Sequence, residues 1–309
     1  MILTLTVNPA IDRTITVDRL AFEDRAYILS SKESAGGRGI NASCVVNSFG
    51  GKTTAIVPAG GSSGTRFGEF MQGCGFPVIV VPIRNRVRTN LIITDRHGLT
   101  VKLNEPGPKL EKPEVAKIDK TVRAHLDKTR WLMLCGSLPP GVPSNFYAGL
   151  IHEAHKRNVR TLLDTDGDAL LEGIEAKPTV ATPNQQEAER LLNTALLTRT
   201  HYLAAAERIR KMGADAALLS LGSRGAIGAF PDGTVEVLPP RVEAVSPIGS
   251  GDALAAAFLW AMEGKSNYAD ALRWGVATGT ASAKLPGMKF ASLEESREVY
   301  NQVEVRHLG

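Results

Sequence analysis

The chain has 309 residues, of which 43% are hydrophobic and 22% charged, a composition typical of a globular protein with a sizeable core. Its 36 Lys and Arg against 32 Asp and Glu give a net charge of +4, too small to indicate a nucleic-acid partner, and only 6% of its residues are aromatic. No uncharged apolar run approaches the roughly 18 residues of a membrane span, and the first residues lack the pattern of a secretory signal.

Short apolar runs recur along the chain and predict buried strands of a mostly parallel sheet. They lie at 2–7, 53–58, 77–83, 131–136, 159–164, 179–183 and 216–222. Helical patterns alternate with them near 39–49, 64–73, 112–127, 144–157, 184–192, 199–212, 252–262 and 268–284. This alternation predicts one three-layer α/β domain over residues 1–309, with a short exposed end after Asn301.

Two segments do not follow this alternation of buried strands and helices. Residues 11–33 and 86–104 alternate apolar and polar side chains, and the second contains a hairpin signal at 95–98. Such alternation predicts a half-exposed antiparallel sheet rather than a buried parallel one. We expect the two segments to form a small lid over the main sheet.

The three cysteines are Cys44, Cys74 and Cys135, with no C-x-x-C pair. They favour free thiols in a reducing compartment, so we expect a cytoplasmic protein.

Several shorter patterns are ambiguous or incomplete. GGKTT (50–54) resembles a P-loop, but Val46 stands where that loop needs glycine. His152 and His155 are three residues apart rather than the four of a zinc helix. Asp164 and Asp166 follow a predicted strand, where they could bind a ligand or cap a helix, and both interpretations stay open.

AGGRGIN (35–41) has the character of a ligand-binding turn. Gly36 and Gly37 allow a backbone to lie close against a ligand, and the amide of Asn41 can both donate and accept. An ordinary turn explains the glycines equally well. Asp12, just beyond the first strand, is likewise either a ligand-binding acid or a turn residue.

SPIGSGD (246–252) combines a glycine turn with an acid at the start of a helix. Amides of Gly249, Ser250 and Gly251 could hold a phosphoryl group at the helix N-terminus. Asp252 has two interpretations. It could be an N-cap worth about 1 kcal/mol. It could also accept the proton of a hydroxyl group placed between itself and the phosphoryl group.

Five motifs in order resemble those of the PfkB-type, ribokinase-like carbohydrate kinases, over nearly the whole chain. They are AGGRGINA (35–42), CGSLPPGV (135–142), TPNQQEAE (182–189), SLGSRGA (220–226) and SPIGSGDALAAAF (246–258). The resemblance implies an α/β, three-layer, ribokinase-like (Rossmann-like) sheet with a small β-sheet lid. It also implies ATP and Mg²⁺ as cofactors, with a monovalent cation near Ser246–Ile248, and a homodimer formed through the lid.

The resemblance assigns roles to individual residues. Asp252 would be the catalytic base, beside an anion hole of Gly249, Ser250 and Gly251. The sugar would be bound by Asp12, Gly36, Gly37, Arg38, Asn41 and Ser137, with Arg88, Asn90 and Arg25 on its phosphate. The nucleotide would be bound by Asn184, Glu187, Ser220, Gly222, Gly225 and Gly279, with Asn184 and Glu187 positioning Mg²⁺ through water.

The sequence departs from the family pattern at three places. Arg38 replaces a common Lys, Thr182 replaces another, and Ser246-Pro247-Ile248 replaces Asp/Asn-Thr-x. The missing Lys at 182 removes one cation near the triphosphate.

VNPAIDRTITV (7–17) and VRTNLII (87–93) are similar to the sugar-phosphate branch of the family. The expected reaction converts a ketohexose monophosphate and ATP to a 1,6-bisphosphate. Fructose 1-phosphate is favoured over tagatose 6-phosphate and fructose 6-phosphate. The alternatives are a kinase of an uncharged sugar or nucleoside, in which Arg84, Arg86 and Arg88 only solvate a strand edge, and a non-catalytic sugar-phosphate sensor.

Overall fold

The computed structural model describes residues 1–21 and 23–308. Its strands, in chain order, are β1 (Ile2–Thr6), β2 (Ala10–Val17), β3 (Ile28–Gly36), β4 (Thr53–Gly60), β5 (Val78–Ile83), β6 (Arg88–Asp95), β7 (Thr100–Asn104), β8 (Trp131–Cys135), β9 (Arg160–Asp164), β10 (Val180–Ala181), β11 (Ala216–Ser220), β12 (Ala226–Phe230), β13 (Gly233–Leu238) and β14 (Glu304–Leu308). Its helices are α1 (Arg38–Ser48), α2 (Gly64–Gln72), α3 (Lys112–His125), α4 (Phe146–Lys156), α5 (Gly167–Glu175), α6 (Gln185–Leu192), α7 (Arg199–Met212), α8 (Ser250–Glu263), α9 (Tyr268–Ala283) and α10 (Leu293–Tyr300).

The main sheet has the order β14-β13-β12-β11-β10-β9-β8-β1-β4-β5. Strands from β11 to β5 run parallel, whereas β12, β13 and β14 continue the sheet antiparallel. The parallel part lies between two helical layers, which is why its strands read as unbroken apolar runs. In β1, Ile2 packs with Trp131 on one face, while Leu3 packs with Leu132 on the other.

The two faces carry separate cores. Helices α3 to α7 cover one face, and α1, α8, α9 and α10 cover the other. The alanine-rich α8 is buried along most of its length, because it lies between α1 and α9 as well as against the sheet. This packing fixes the N-termini of α1 and α8 beside the carboxyl ends of the parallel strands, the position at which α/β sheets bind ligands.

The second sheet has the order β3-β2-β6-β7, and it is built from the two alternating segments as predicted. Its strands are not all antiparallel, however, because β2 pairs with β6 in parallel. The reason is topological: β2 follows β1 and β6 follows β5, which are parallel strands of the main sheet, so both enter the second sheet in the same direction.

The end after Asn301 is largely exposed, as predicted, but it forms a strand that the sequence did not predict. β14 pairs antiparallel with β13, with Val305 opposite Val237, and thus forms an edge of the main sheet. Helices α5 and α10 and strands β12 and β13 were also not predicted. Of the missed strands, β14 (EVRHL) lies at the sheet edge, and its polar side chains lack the apolar run that marks a buried strand.

No helix in the part of the chain that the structure describes has the length and apolar character needed to cross a membrane. Cys44, Cys74 and Cys135 are free thiols.

Candidate active site

A cavity of about 280 Å³ lies between the second sheet and the N-termini of α1 and α8. Nine residues to which the family resemblance assigns a role in catalysis or sugar binding line it: Asp12, Gly37, Arg38, Asn41, Arg88, Asn90, Ser137, Gly249 and Asp252. They come from regions of the chain more than 200 residues apart. The sequence motifs therefore meet at one polar cavity, where the two sheets face each other.

The start of α8 is shaped for an anion. Gly249 has φ of 79°, a left-handed conformation that favours glycine, and its carbonyl accepts the first helical bond from the amide of Ala253 at 2.9 Å. The amides of Gly251 and Asp252 precede that bond, so no carbonyl of the helix is placed to accept from them. They are available to an oxyanion at the positive end of the helix dipole.

Asp252 is not the helix cap. It is the third residue of α8, and no side chain caps this helix. Its Oδ2 instead accepts a hydrogen bond of 2.7 Å from Nδ2 of Asn41, in the first turn of α1. Burial, reinforced by the charge of Asp164, raises the pKa of Asp252 to about 7, against the opposing effects of Asn41 and Arg38. A carboxylate with such a pKa is suited to accept a proton near neutral pH.

Asp12 lies buried on β2, on the wall opposite α8. Its Oδ1 accepts a hydrogen bond of 2.8 Å from Nδ2 of Asn90, its neighbour in register on β6. A Cβ at Gly36 would lie 1.8 Å from Oδ2 of Asp12, so only glycine leaves room for this carboxyl. Gly36 therefore acts by admitting Asp12. Burial raises the pKa of Asp12 above its ordinary value.

The three arginines 84, 86 and 88 differ in environment. Arg84 and Arg86 are exposed, whereas Arg88 is half-buried and lines the cavity. Its Nη1 donates to the carbonyl of Glu105 at 2.9 Å and its Nη2 to the carbonyl of Asn8 at 3.0 Å. Within the described residues its buried Nε has no partner. Arg88 is thus an immobilised cation facing the cavity rather than a solvated strand edge.

Arg38 binds three carboxylates. Its guanidinium donates to Asp164 at 2.7 Å, to Asp166 at 3.3 Å and to Glu187 at 2.9 Å. Asp164 chiefly, then Glu187, raises the pKa of Arg38 well above its ordinary value. The sequence predicted a sugar contact for Arg38. Its hydrogen bonds instead show that its main role is to connect the start of α1 to the start of α6, where Glu187 lies. Asp164 and Asp166, left ambiguous by the sequence, are its anchors.

Asn184 and Glu187 form a capping box at the start of α6. Asn184 Oδ1 accepts from the amide of Glu187 at 2.9 Å, and Glu187 Oε2 accepts from the amide of Asn184 at 2.8 Å. Because Oε1 of Glu187 also binds Arg38, both oxygens of this buried carboxylate already accept hydrogen bonds. The pair fits Mg²⁺ through water. Among residues 1–21 and 23–308, no cluster of three His, Cys, Asp or Glu side chains could ligate a metal directly.

The other predicted nucleotide residues lie outside the cavity. Ser220 ends β11 and bridges to Asn184, and Gly222 and Gly225 shape the following turn with φ of 61° and 86°. A Cβ at Gly225 would lie 2.0 Å from the carbonyl oxygen of Val237. Gly279, in α9, lets that helix approach α8, because a Cβ there would lie 2.9 Å from the carbonyl oxygen of Ser250.

Arg25 is the predicted sugar-phosphate residue that the fold does not bring to the cavity. It is exposed in the connection between β2 and β3, where its amide donates to Asp24. Conversely, Asn8, Lys102 and Asn104 line the cavity but were not predicted. The pairing of β6 with β7 could have identified Lys102 and Asn104. Asn104 pairs with Asn90 and Lys102 pairs with Ile92, so both share the face of a predicted site residue.

A model of the pfkB family of carbohydrate kinases matches residues 5–295. The chain belongs to this family. It is 29% identical over 302 residues to the ATP-dependent 6-phosphofructokinase isozyme 2 of Escherichia coli (strain K12), with 97% of both chains covered. It is 25% identical over 307 residues to the 1-phosphofructokinase of Vibrio cholerae, with 99% of this chain and 97% of the relative covered.

The crystal structure of phosphofructokinase-2 from Escherichia coli in complex with potassium superposes with a TM-score of 0.91 at 28% identity. The superposition covers 97% of this chain and 98% of that one. The pfkB resemblance and the ribokinase-like fold, a large mixed sheet with a smaller one, are therefore confirmed. As a member of the pfkB family, the protein is a carbohydrate kinase.

Proposed function

We propose that this kinase transfers the terminal phosphoryl group of ATP to a ketohexose monophosphate and forms the 1,6-bisphosphate, with fructose 1-phosphate as the first candidate acceptor. The observation that carries the proposal is Asp252, whose pKa of about 7 and bond to Asn41 set a base beside the amides that start α8. Arg88, on the same cavity, provides a fixed cation for the phosphate of the acceptor. Both named relatives are phosphofructokinases.

Fructose 6-phosphate is the second candidate. The relative with 29% identity is a 6-phosphofructokinase, whereas the one with 25% identity is a 1-phosphofructokinase. A ketohexose in its furanose form carries a hydroxymethyl-type arm at each end, so one cavity can hold either arm's phosphate at Arg88 and present the other arm to Asp252.

The transfer step uses two groups at the start of α8, the carboxylate of Asp252 and the backbone amides. The acceptor hydroxyl oxygen attacks the terminal phosphorus of ATP and gives its proton to Asp252. The bond between that phosphorus and the bridging oxygen breaks, and ADP leaves. Of the predicted anion hole, the amide of Ser250 already donates to the carbonyl of Pro247 at 3.3 Å, so the amides of Gly251 and Asp252 stabilise charge on the phosphoryl oxygens, while Asp12 and Asn41 orient the sugar. Mg²⁺, held through water near Asn184 and Glu187, would neutralise charge on the nucleotide phosphates.

We propose that the nucleotide lies along Ser220, Gly222, Gly225 and Gly279, outside the cavity that the second sheet covers. The bridge between Ser220 and Asn184 supports this placement, because it joins the turn after β11 to the N-terminus of α6. A monovalent cation near Ser246–Ile248 remains part of the proposal, supported by the potassium complex of the Escherichia coli relative. The free thiols support a reducing, cytoplasmic setting.

A homodimer through the second sheet is also proposed. Val101 and Leu103 alternate with Lys102, so they lie on the face turned away from the cavity, where they are 38% and 51% exposed, and Leu29 on β3 is 46% exposed. Exposed apolar side chains on one sheet face favour burial against a second copy. Arg25 would serve a sugar phosphate only in such an assembly or after movement of its connection. Light scattering of wild type and of Leu103→Asp tests the dimer.

A coupled assay of ADP formation tests the function itself. We expect kcat/KM to be highest for fructose 1-phosphate, lower for fructose 6-phosphate and tagatose 6-phosphate, and at least about a hundredfold lower for unphosphorylated fructose, which lacks the charge that Arg88 binds. Equal activity on fructose would identify a kinase of uncharged sugars. Binding of a sugar phosphate without any turnover would identify a sensor.

A further inference from the structure

Lys102 lines the cavity from the edge strand of the second sheet. It lies on β7, opposite Ile92 of β6, and shares a sheet face with Asn90 and Asn104. The side chain is exposed at the rim but directed into the space that Asp12 and Asp252 also line. Lys102 has no part in the transfer step proposed for Asp252 and the amides of α8.

The three cationic side chains that line the cavity differ in how many hydrogen bonds and ion pairs they already make. Arg38 is bound by three carboxylates, and two nitrogens of Arg88 donate to backbone carbonyls. The ammonium of Lys102 makes no hydrogen bond or ion pair within the described part of the chain. It is therefore the cavity cation with all three of its donors available to a ligand.

Lys102 and Asp252 line the same cavity, and Ile92, the partner of Lys102 on β6, lies farther along that strand than Arg88. The strongest attraction of Lys102 is to Asp252, followed by Asp12, whereas the strongest attraction of Arg88 is to Asp12. Partial loss of solvent at the cavity wall lowers the pKa of Lys102 below its ordinary value, and Asp252 and Asp12 oppose that shift. Gly249, at the start of α8, lines this cavity as well.

We propose that the ammonium of Lys102 binds the phosphoryl group as it passes from nucleotide to sugar, a role that rests on the kinase function proposed above. Asp252 must be ionised to accept a proton, yet its charge repels the incoming phosphoryl oxygens. Lys102 offsets that repulsion from the sheet side, while the amides of α8 bind the group from the helix side. Lys102 keeps its proton and forms no covalent bond during the transfer.

Substitution of Lys102 tests this role against two alternatives: a ligand of the acceptor's phosphate, and a solvated rim lysine. The variants are Lys102→Gln and Lys102→Arg. The matched control is Lys32→Gln, an exposed lysine of the same sheet on β3 that does not line the cavity. Activity of the wild type on fructose 1-phosphate or fructose 6-phosphate establishes the parent function independently of any variant.

For Lys102→Gln we expect kcat to fall about 10- to 100-fold, because an exposed donor contributes less than an enclosed oxyanion-hole donor. KM for the sugar phosphate should stay within about threefold. Lys102→Arg should retain most activity, and Lys32→Gln should match the wild type.

A binding measurement separates transition-state contact from effects on folding. Calorimetry with ADP, Mg²⁺ and aluminium fluoride in the presence of the sugar phosphate should show weaker binding by Lys102→Gln, by a factor similar to the loss in kcat. Binding of ADP alone and of sugar phosphate alone should be unchanged. Unchanged kcat, or a raised KM for the sugar phosphate at unchanged kcat, would overturn the proposal.

Discussion

The side-chain amide of Asn41 donates to Oδ2 of Asp252 at 2.7 Å and thereby joins the first turn of α1 to the first turn of α8. A carboxylate that accepts from an amide on one oxygen keeps its other oxygen for a second partner. In the proposed mechanism that partner is the acceptor hydroxyl. The bond therefore fixes which oxygen of Asp252 receives the proton.

Asp252→Asn should lower kcat by about 10²- to 10⁴-fold, the contribution of a positioned general base. The substitution preserves shape, so affinity for ATP and for the sugar phosphate should be retained. Steady-state kinetics and calorimetry measure the two effects. A variant that keeps substantial turnover would show that another group takes the proton.

The pH dependence should follow Asp252. Since the base must be ionised and its pKa is about 7, kcat should rise with pH up to about 7 and then level off. Asn41 favours the ionised form, so Asn41→Ala should move this limb to higher pH. If Asn41→Ala remained active and its kcat rose over the same pH range as that of the wild type, the group that titrates would not be Asp252.

The same shift has a consequence for stability. A carboxyl whose pKa is raised on folding binds more protons in the folded state, so its contribution to stability decreases as pH rises from about 4 to about 7. Asp252→Asn removes that contribution. The difference in Tm between variant and wild type should therefore grow in favour of the variant across this window, as measured by thermal unfolding at several pH values.

Gly36→Ala should displace Asp12, because the new Cβ would lie 1.8 Å from Oδ2 of Asp12. Loss of the proposed hydrogen bonds from Asp12 to the sugar predicts a rise in KM for the sugar phosphate of about tenfold or more, with KM for ATP little changed. Gly68→Ala is the control, since nothing lies within 4 Å of its added Cβ. Equal effects on both substrates would point to general distortion instead.

Arg88→Gln should raise KM for the sugar phosphate about tenfold or more while leaving kcat and KM for ATP nearly unchanged. Arg84→Gln alters an exposed arginine of the same segment that does not line the cavity, and should resemble the wild type. If the two variants behaved alike, Arg88 would be a surface charge rather than a ligand of the acceptor.

Arg38→Met should destabilise the fold by about 2 kcal/mol, because it leaves the low-exposure carboxylates of Asp164 and Glu187 without their cation. Urea unfolding measures this loss. Arg38→Lys should restore only part of it, since an ammonium cannot match the planar fork of a guanidinium. Unaltered stability in both variants would mean that solvent satisfies these carboxylates.

The fold was largely predictable because the parallel strands are buried on both faces and their apolar runs are continuous. β14 and α10 were not predictable in this way, since their polar side chains carry no strong period. The site was predictable where motif glycines and acids lie together in sequence, as in SPIGSGD. Contacts between residues distant in sequence could not be predicted. No local pattern indicates that Arg38 binds Asp164, Asp166 and Glu187, and none indicates that Arg25 lies outside the cavity.

The second sheet is attached to the main layer by four chain segments: 7–9 before β2, 84–87 before β6, 105–111 after β7, and Gly37 alone between β3 and α1. A sheet attached at four points has no single hinge about which it could turn. The shortest connection is Gly37, whose φ of 133° favours glycine. Asn41 stands four residues beyond it, so the chain that leaves the second sheet leads within one helical turn to the hydrogen bond on Asp252.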